Sequence, residues 1–248
     1  MYLICLLTIL LIGCVVFYFT VYSAHYGGNN SLTTVTEGFH GGRSGVKKPT
    51  SYILWTGDYP STFRVMQSVV DENRVVVPIY VLEPKDYMHE GEHRPIQQEL
   101  ESIRAISRQF YKDHPELGRN LKPLITIPSP VPTKSIQGHM EALHQKGHVR
   151  HPRCKYSYLA QTAEDLGHPV ELPINKEPEA GTLYKSIVSH VDGMGPKRKL
   201  TREAVHTHPE LAAYQGFTFP TMDLTKHDMG RIAEEGHYDE YLDMTTPY

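Results

Sequence analysis

The chain has 248 residues, 40% of them hydrophobic and 21% charged, with a formal net charge of −3. That length can bury a sizeable core, and the acidic balance argues against the basic excess of a nucleic-acid partner. The cysteines, Cys5, Cys14 and Cys154, are too few for a disulfide framework or a four-cysteine zinc site within this sequence.

Residues 2–22 read YLICLLTILLIGCVVFYFTVY, and no Asp, Glu, Lys or Arg precedes Glu37. About 20 apolar residues, rising about 1.5 Å each, span a hydrocarbon core of about 30 Å, so residues 1–24 are expected to be a transmembrane anchor. Tyr18 and Tyr22 suit the membrane–water interface. A cleaved signal peptide is the alternative, but the segment lacks a basic start and its apolar run is long for one. Arg43, Lys47 and Lys48 outnumber Glu37 beyond the anchor, which places the C-terminal part on the cytosolic side of a single-pass protein. Residues 25–50, rich in Gly, Ser, Thr and Asn, read as a flexible linker.

From residue 51 the pattern changes. Ser51–Thr56 is a short apolar strand entering the turn Gly57-Asp58-Tyr59-Pro60, and Ser61–Val70 follows with helical spacing. Val75–Leu82 (VVVPIYVL) has the nearly continuous apolar character of a buried parallel strand. In Ile96–Tyr111, Leu100, Ile103, Ile106 and Phe110 share one helical face. Leu124–Ile127 predicts a third strand. Helices are predicted over 137–146, 156–166 and 226–235, the last with Thr225 as N-cap. Strands alternating with helices predict an α/β fold with a parallel sheet. Residues 174–215 are mixed, with an exposed basic loop at Lys197-Arg198-Lys199.

The stretch Ile53-Leu54-Trp55-Thr56-Gly57-Asp58-Tyr59-Pro60-Ser61-Thr62-Phe63-Arg64 resembles the PP-loop of the ATP-pyrophosphatase superfamily, in which a strand runs through S-G-G-x-D-S into a helix. Residues 75–84, 149–172 and 217–245 extend the likeness to 7-cyano-7-deazaguanine synthase-like proteins of large DNA viruses. The resemblance implies a Rossmann-like PP-loop domain over 51–248, in which backbone N–H groups at the turn and the helix start hold pyrophosphate. Thr56, Gly57 and Ser61 match the cofactor-binding positions, while Asp58 replaces a glycine and Pro60 the aspartate. Asp58 brings negative charge to the place of a polyanion, and Pro60 has no N–H. The family's cysteine cluster for zinc would follow Tyr241-Leu242-Asp243-Met244-Thr245, and no cysteine follows Cys154 in this sequence.

Other constellations read more plainly. His89-Glu90-Gly91-Glu92-His93 matches H-E-x-x-H, but it lies between Pro84 and Pro95 with a glycine inside, where a loop is expected and not the helix a zinc protease needs. His139, His144, His148 and His151 gather near a predicted helix end, where His144 and His148 could share a face. Arg150 and Arg153 could lower the pKa of Cys154. The 15 histidines predict association that depends on pH between about 5.5 and 7.5.

Together these features lead us to expect a membrane-anchored, non-catalytic PP-loop-like protein with a structural or interaction role. In concrete form it would be a minor virion protein linking inner membrane and capsid. Its expected partners are the bilayer, through Tyr2–Tyr22, and proteins such as capsid components, with no cofactor or metal. The alternative is a membrane-held, ATP-dependent 7-cyano-7-deazaguanine synthase-like enzyme, with ATP and magnesium at Thr56, Gly57 and Ser61.

Overall fold

Apolar runs become strands at the centre of the molecule. The computed structural model describes residues 48–83, 96–176 and 182–246, within the unit Lys47–Tyr248. The expected anchor at Tyr2–Tyr22, linker residues 25–47 and the motif His89–His93 lie outside the described residues. Among the described residues no helix is long and apolar enough to cross a membrane.

Strands β1 (Thr50–Leu54), β2 (Val75–Leu82) and β3 (Ile125–Pro128) occupy the regions expected of them. They pair in parallel, with Ile53 opposite Pro78 and Tyr80 opposite Thr126. Two-residue strands β4 (Val170–Glu171) and β7 (Phe217–Thr218) complete a five-stranded parallel sheet of order β3-β2-β1-β4-β7. Between them in the chain, β5 (Val191–Asp192) and β6 (Lys199–Leu200) form a separate antiparallel pair. The α/β, Rossmann-like expectation for this region is met, with β1 beginning one residue ahead of the expected boundary.

Side chains on alternate strand positions face opposite layers, so both faces of the sheet are covered. On one face, Ile53, Trp55, Val76 and Tyr80 pack against α1 (Tyr59–Val70) and α2 (Ile96–Asp113). On the other, Leu54, Ile79, Val81 and Val170 pack against α3 (Lys134–Gln145) and α4 (Lys155–Leu166). Short helices α5 (Thr182–Ile187) and α6 (Arg202–Thr207) follow α4. Then α7 (Lys226–Gly236) and α8 (Asp239–Asp243) return to the α1 face, through Met229, Ala233, Tyr241 and Leu242.

Caps define the helix starts more sharply than periodicity does. Thr225 caps α7 as expected, in a reciprocal box with Asp228. Helix α3 starts at Lys134 under a Thr133 cap, earlier than Gln137, and ends at Gln145. His148 therefore lies past the helix end and does not share a helical face with His144. Helix α1 starts at Tyr59, two residues ahead of the expected Ser61, and its cap is Asp58.

Candidate functional site

The strand order reverses between β1 and β4. The chain runs β1-β2-β3 in one direction, then crosses to the other side of β1. In open α/β sheets the carboxyl ends of the strands at such a reversal leave a crevice, the usual ligand position of the architecture. Here a cavity of about 300 Å³ lies there. Leu54, Ile79, Val81 and Leu172 form apolar wall, and Thr56, Asp58, Ser61, Glu83, Glu99 and Lys155 supply its polar groups. Thr56, Gly57 and Ser61 are brought together at the β1–α1 turn, and Thr56 and Ser61 line the cavity.

Several ties fix this turn. Gly57 adopts φ +75°, and a Cβ there would lie 3.0 Å from the Glu99 carbonyl oxygen of α2. The Gly57 carbonyl accepts from Thr246 N–H at 3.0 Å, while Ser102 Oγ donates to the Met244 carbonyl at 3.0 Å. Trp55 Nε1 donates to Thr62 Oγ1 at 3.0 Å, joining the end of β1 to the first turn of α1.

Within the turn, Asp58 does what an anion would do. Its Oδ1 accepts from Ser61 N–H at 3.0 Å and from Ser61 Oγ at 2.5 Å. Thr56 N–H in turn donates to Ser61 Oγ at 3.2 Å. Pro60, in the first turn, has no N–H to offer. The start of α1 is thus capped by a carboxylate of the same chain.

Two further carboxylates among the described residues, Glu83 and Glu99, line the crevice. Tyr80 Oη donates to Glu99 Oε2 at 2.6 Å, and Tyr158 Oη donates to Glu83 Oε1 at 3.0 Å. Burial and then Glu99 push the Tyr80 phenol pKa upward, so it stays a donor. Lys155 has its pKa raised by Tyr156 first, against desolvation, with Asp58, Glu83 and Glu99 adding to the rise. Among the described residues, three carboxylates and one ammonium line the crevice. Bringing one further negative charge to about 4 Å from a carboxylate costs about 4 kcal/mol at an effective dielectric near 20, or about a thousandfold in affinity. The Ser61 N–H and hydroxyl at the start of α1 are already held by Asp58, and no step involving ATP follows from these residues.

Glu83, Glu99 and Lys155 escape sequence reasoning, because each comes from a different element with no local motif around it. Asp58 is legible as a cap: Asp ahead of a Tyr-Pro helix start is a recognised N-terminal signal.

The fold also gives places to the cysteine, the basic loop and the histidines. Burial pushes the Cys154 thiol pKa up, against the lowering expected from Arg150 and Arg153. Arg198 is no free surface cation: it pairs with Asp223, and its carbonyl accepts from Phe219 N–H at 2.8 Å. Lys199 lies in β6. His144 Nδ1 lies 3.2 Å from the Val149 carbonyl oxygen. Among the described residues no group of three or more His, Cys, Asp or Glu side chains is arranged to hold a metal ion. No protein-family model matches the chain, and no curated protein is significantly similar to it.

Proposed function

We propose that this is a membrane-anchored protein whose PP-loop-like α/β domain has exchanged phosphate binding for a structural or interaction role. The observation that carries the reading is the Asp58 cap. A carboxylate of the chain already takes the Ser61 N–H and hydroxyl that a pyrophosphate would need. Pro60 removes a further donor, and Glu83 and Glu99 add negative charge to the same crevice. The resemblance to proteins of large DNA viruses gives the reading its concrete form, a minor virion component joining an inner membrane to capsid proteins.

The test is equilibrium binding of magnesium–ATP to the full chain in detergent. The reading predicts no saturable binding at millimolar nucleotide. Micromolar binding, competed by pyrophosphate, would restore the ATP-dependent enzyme as the better account.

A further inference from the structure

Residues 238–246 run as a strap from one end of α1 and α2 to the other. Tyr238 and Tyr241, both fully buried, open it. Tyr238 Oη donates to Asp71 Oδ2 at 2.9 Å, at the C-cap of α1. Tyr241 Oη donates to Asp113 Oδ2 at 3.1 Å, on the last residue of α2. From those C-terminal ends the chain passes through α8 towards the opposite ends. Ser102, in the second turn of α2, donates its hydroxyl to the Met244 carbonyl at 3.0 Å. The Thr246 N–H then donates at 3.0 Å to the carbonyl of Gly57, just ahead of α1.

The two ends of this strap are held unequally. At its start, the Tyr238 ring lies 6.2 Å from Phe63 and the Tyr241 ring 5.6 Å from Phe110, between centroids, inside the core on the α1 face. Rings of this size carry much of the burial in a core. At its tip, α8 has ended at Asp243, and Met244 and Thr245 are half-buried. Thr246 Oγ1 is buried with no hydrogen-bond partner among the described residues. A hydroxyl that gives up water without gaining a partner makes closure of the tip less favourable.

From this asymmetry we infer that residues 244–246 form a latch that opens ahead of the rest of the domain and sets the orientation of the Gly57–Asp58 peptide. Segments held by few buried contacts open locally while the core stays folded. The Gly57–Asp58 peptide is trans, so the Asp58 N–H points opposite to the carbonyl that Thr246 holds. The closed latch fixes that plane, with the Asp58 N–H turned away from the strap. Once the latch opens, the plane can turn, because Gly57, at φ +75°, tolerates backbone states that a side chain would forbid. Asp58 both caps α1 and lines the crevice. The state of the C-terminal tip therefore reaches the helix start and the crevice wall through one peptide group.

Hydrogen exchange of the full chain in detergent, read at single amides and corrected for intrinsic rates, tests the latch. The Thr246 amide should be protected about tenfold less, or lower still, than those of Tyr238 and Trp55, which donate to the Ala233 and Ile79 carbonyls. Ser102→Ala removes one tie of the tip. It should lower protection at Thr246 several-fold and shift the Asp58 amide resonance, while Tyr238 keeps its protection. Thr246→Val exchanges the unpaired hydroxyl for a methyl group and should raise protection at position 246 several-fold. Equal protection at Thr246 and Trp55 would overturn the inference, since the tip would then open only with the whole domain. So would Ser102→Ala leaving Thr246 unchanged, or Thr246→Val lowering protection. An Asp58 resonance that stays in place in Ser102→Ala while Thr246 loses protection would show that the tip opens without moving the turn, and would overturn it equally.

Discussion

Arg64 Nε donates to Glu171 Oε2 at 2.5 Å, joining α1 to β4 across the reversal of strand order. Arg64 is fully buried and Glu171 is 4% exposed. The remaining guanidinium nitrogens are satisfied by Glu72 and Gln67, with Nη1 donating to Glu72 Oε1 at 2.6 Å. Desolvation opposes the charge, yet Glu72 and Glu171 outweigh it and raise the Arg64 pKa.

A buried pair of this kind is costly to break on one side only. Glu171→Ala leaves the buried Nε without an acceptor while Glu72 and Gln67 still hold the other nitrogens, and should destabilise the domain by about 1–3 kcal/mol. Arg64→Met with Glu171→Leu removes both charges and should come close to wild-type stability. Urea unfolding of the two variants decides it; equal losses would show that the pair's value lies in packing and not in charge.

Gly57 should not tolerate a side chain. Gly57→Ala must accept φ +75° and a Cβ 3.0 Å from the Glu99 carbonyl, while Gly147, at φ +74°, has nothing within 4 Å of its Cβ position. Left-handed backbone costs a non-glycine residue about 1–2 kcal/mol. Gly147→Ala should lose about that much, and Gly57→Ala distinctly more. Thermal unfolding of both variants measures the difference, and equal losses would mean that α2 can shift away from the turn.

Acid should weaken the region beyond α3 in two stages. The His190 and His208 rings lie 4.6 Å apart between centroids, and His208 Nδ1 lies 3.6 Å from Glu210 Oε1. Lys146 Nζ donates to the same Glu210 oxygen at 2.7 Å. Burial, then His208 and His148, lower the His190 pKa. Burial opposes the Glu210 carboxylate, but the Lys146 hydrogen bond and further favourable contacts hold its pKa below the ordinary value. Both groups have depressed folded-state values. Their stabilisation is therefore complete above the unfolded values and is lost as pH falls, first through the His190 range and then below the carboxylate range. The melting temperature should begin to fall just below pH of about 6.5, and His190→Gln should remove that first stage. A melting temperature unchanged from neutral pH to the carboxylate range would contradict the assignment.

What the sequence discloses follows the range of each interaction. β2 is legible to the residue because VVVPIYVL needs no partner to read as buried strand. β4 is not, because it is two residues long and its Glu171 is buried only by virtue of Arg64, 107 positions away. The strand, turn and helix around Gly57 are legible in the sequence, but the cap is not where periodicity puts it. Ser61 looks like a helix start, while Asp58 performs the capping, so the acidic residue that looks foreign to the turn is the one that completes it.

That capping contact is the centre of the account, and the Ser61 amide reports on it directly. Its resonance should stay unmoved when pyrophosphate is added to the wild-type protein, because the Asp58 carboxylate already holds it. In the Asp58→Gly, Pro60→Asp variant the carboxylate is gone from the cap, and pyrophosphate should shift the Ser61 amide in a saturable titration. A wild-type Ser61 amide that shifts at micromolar pyrophosphate would contradict the claim that the chain's own anion has taken the phosphate position.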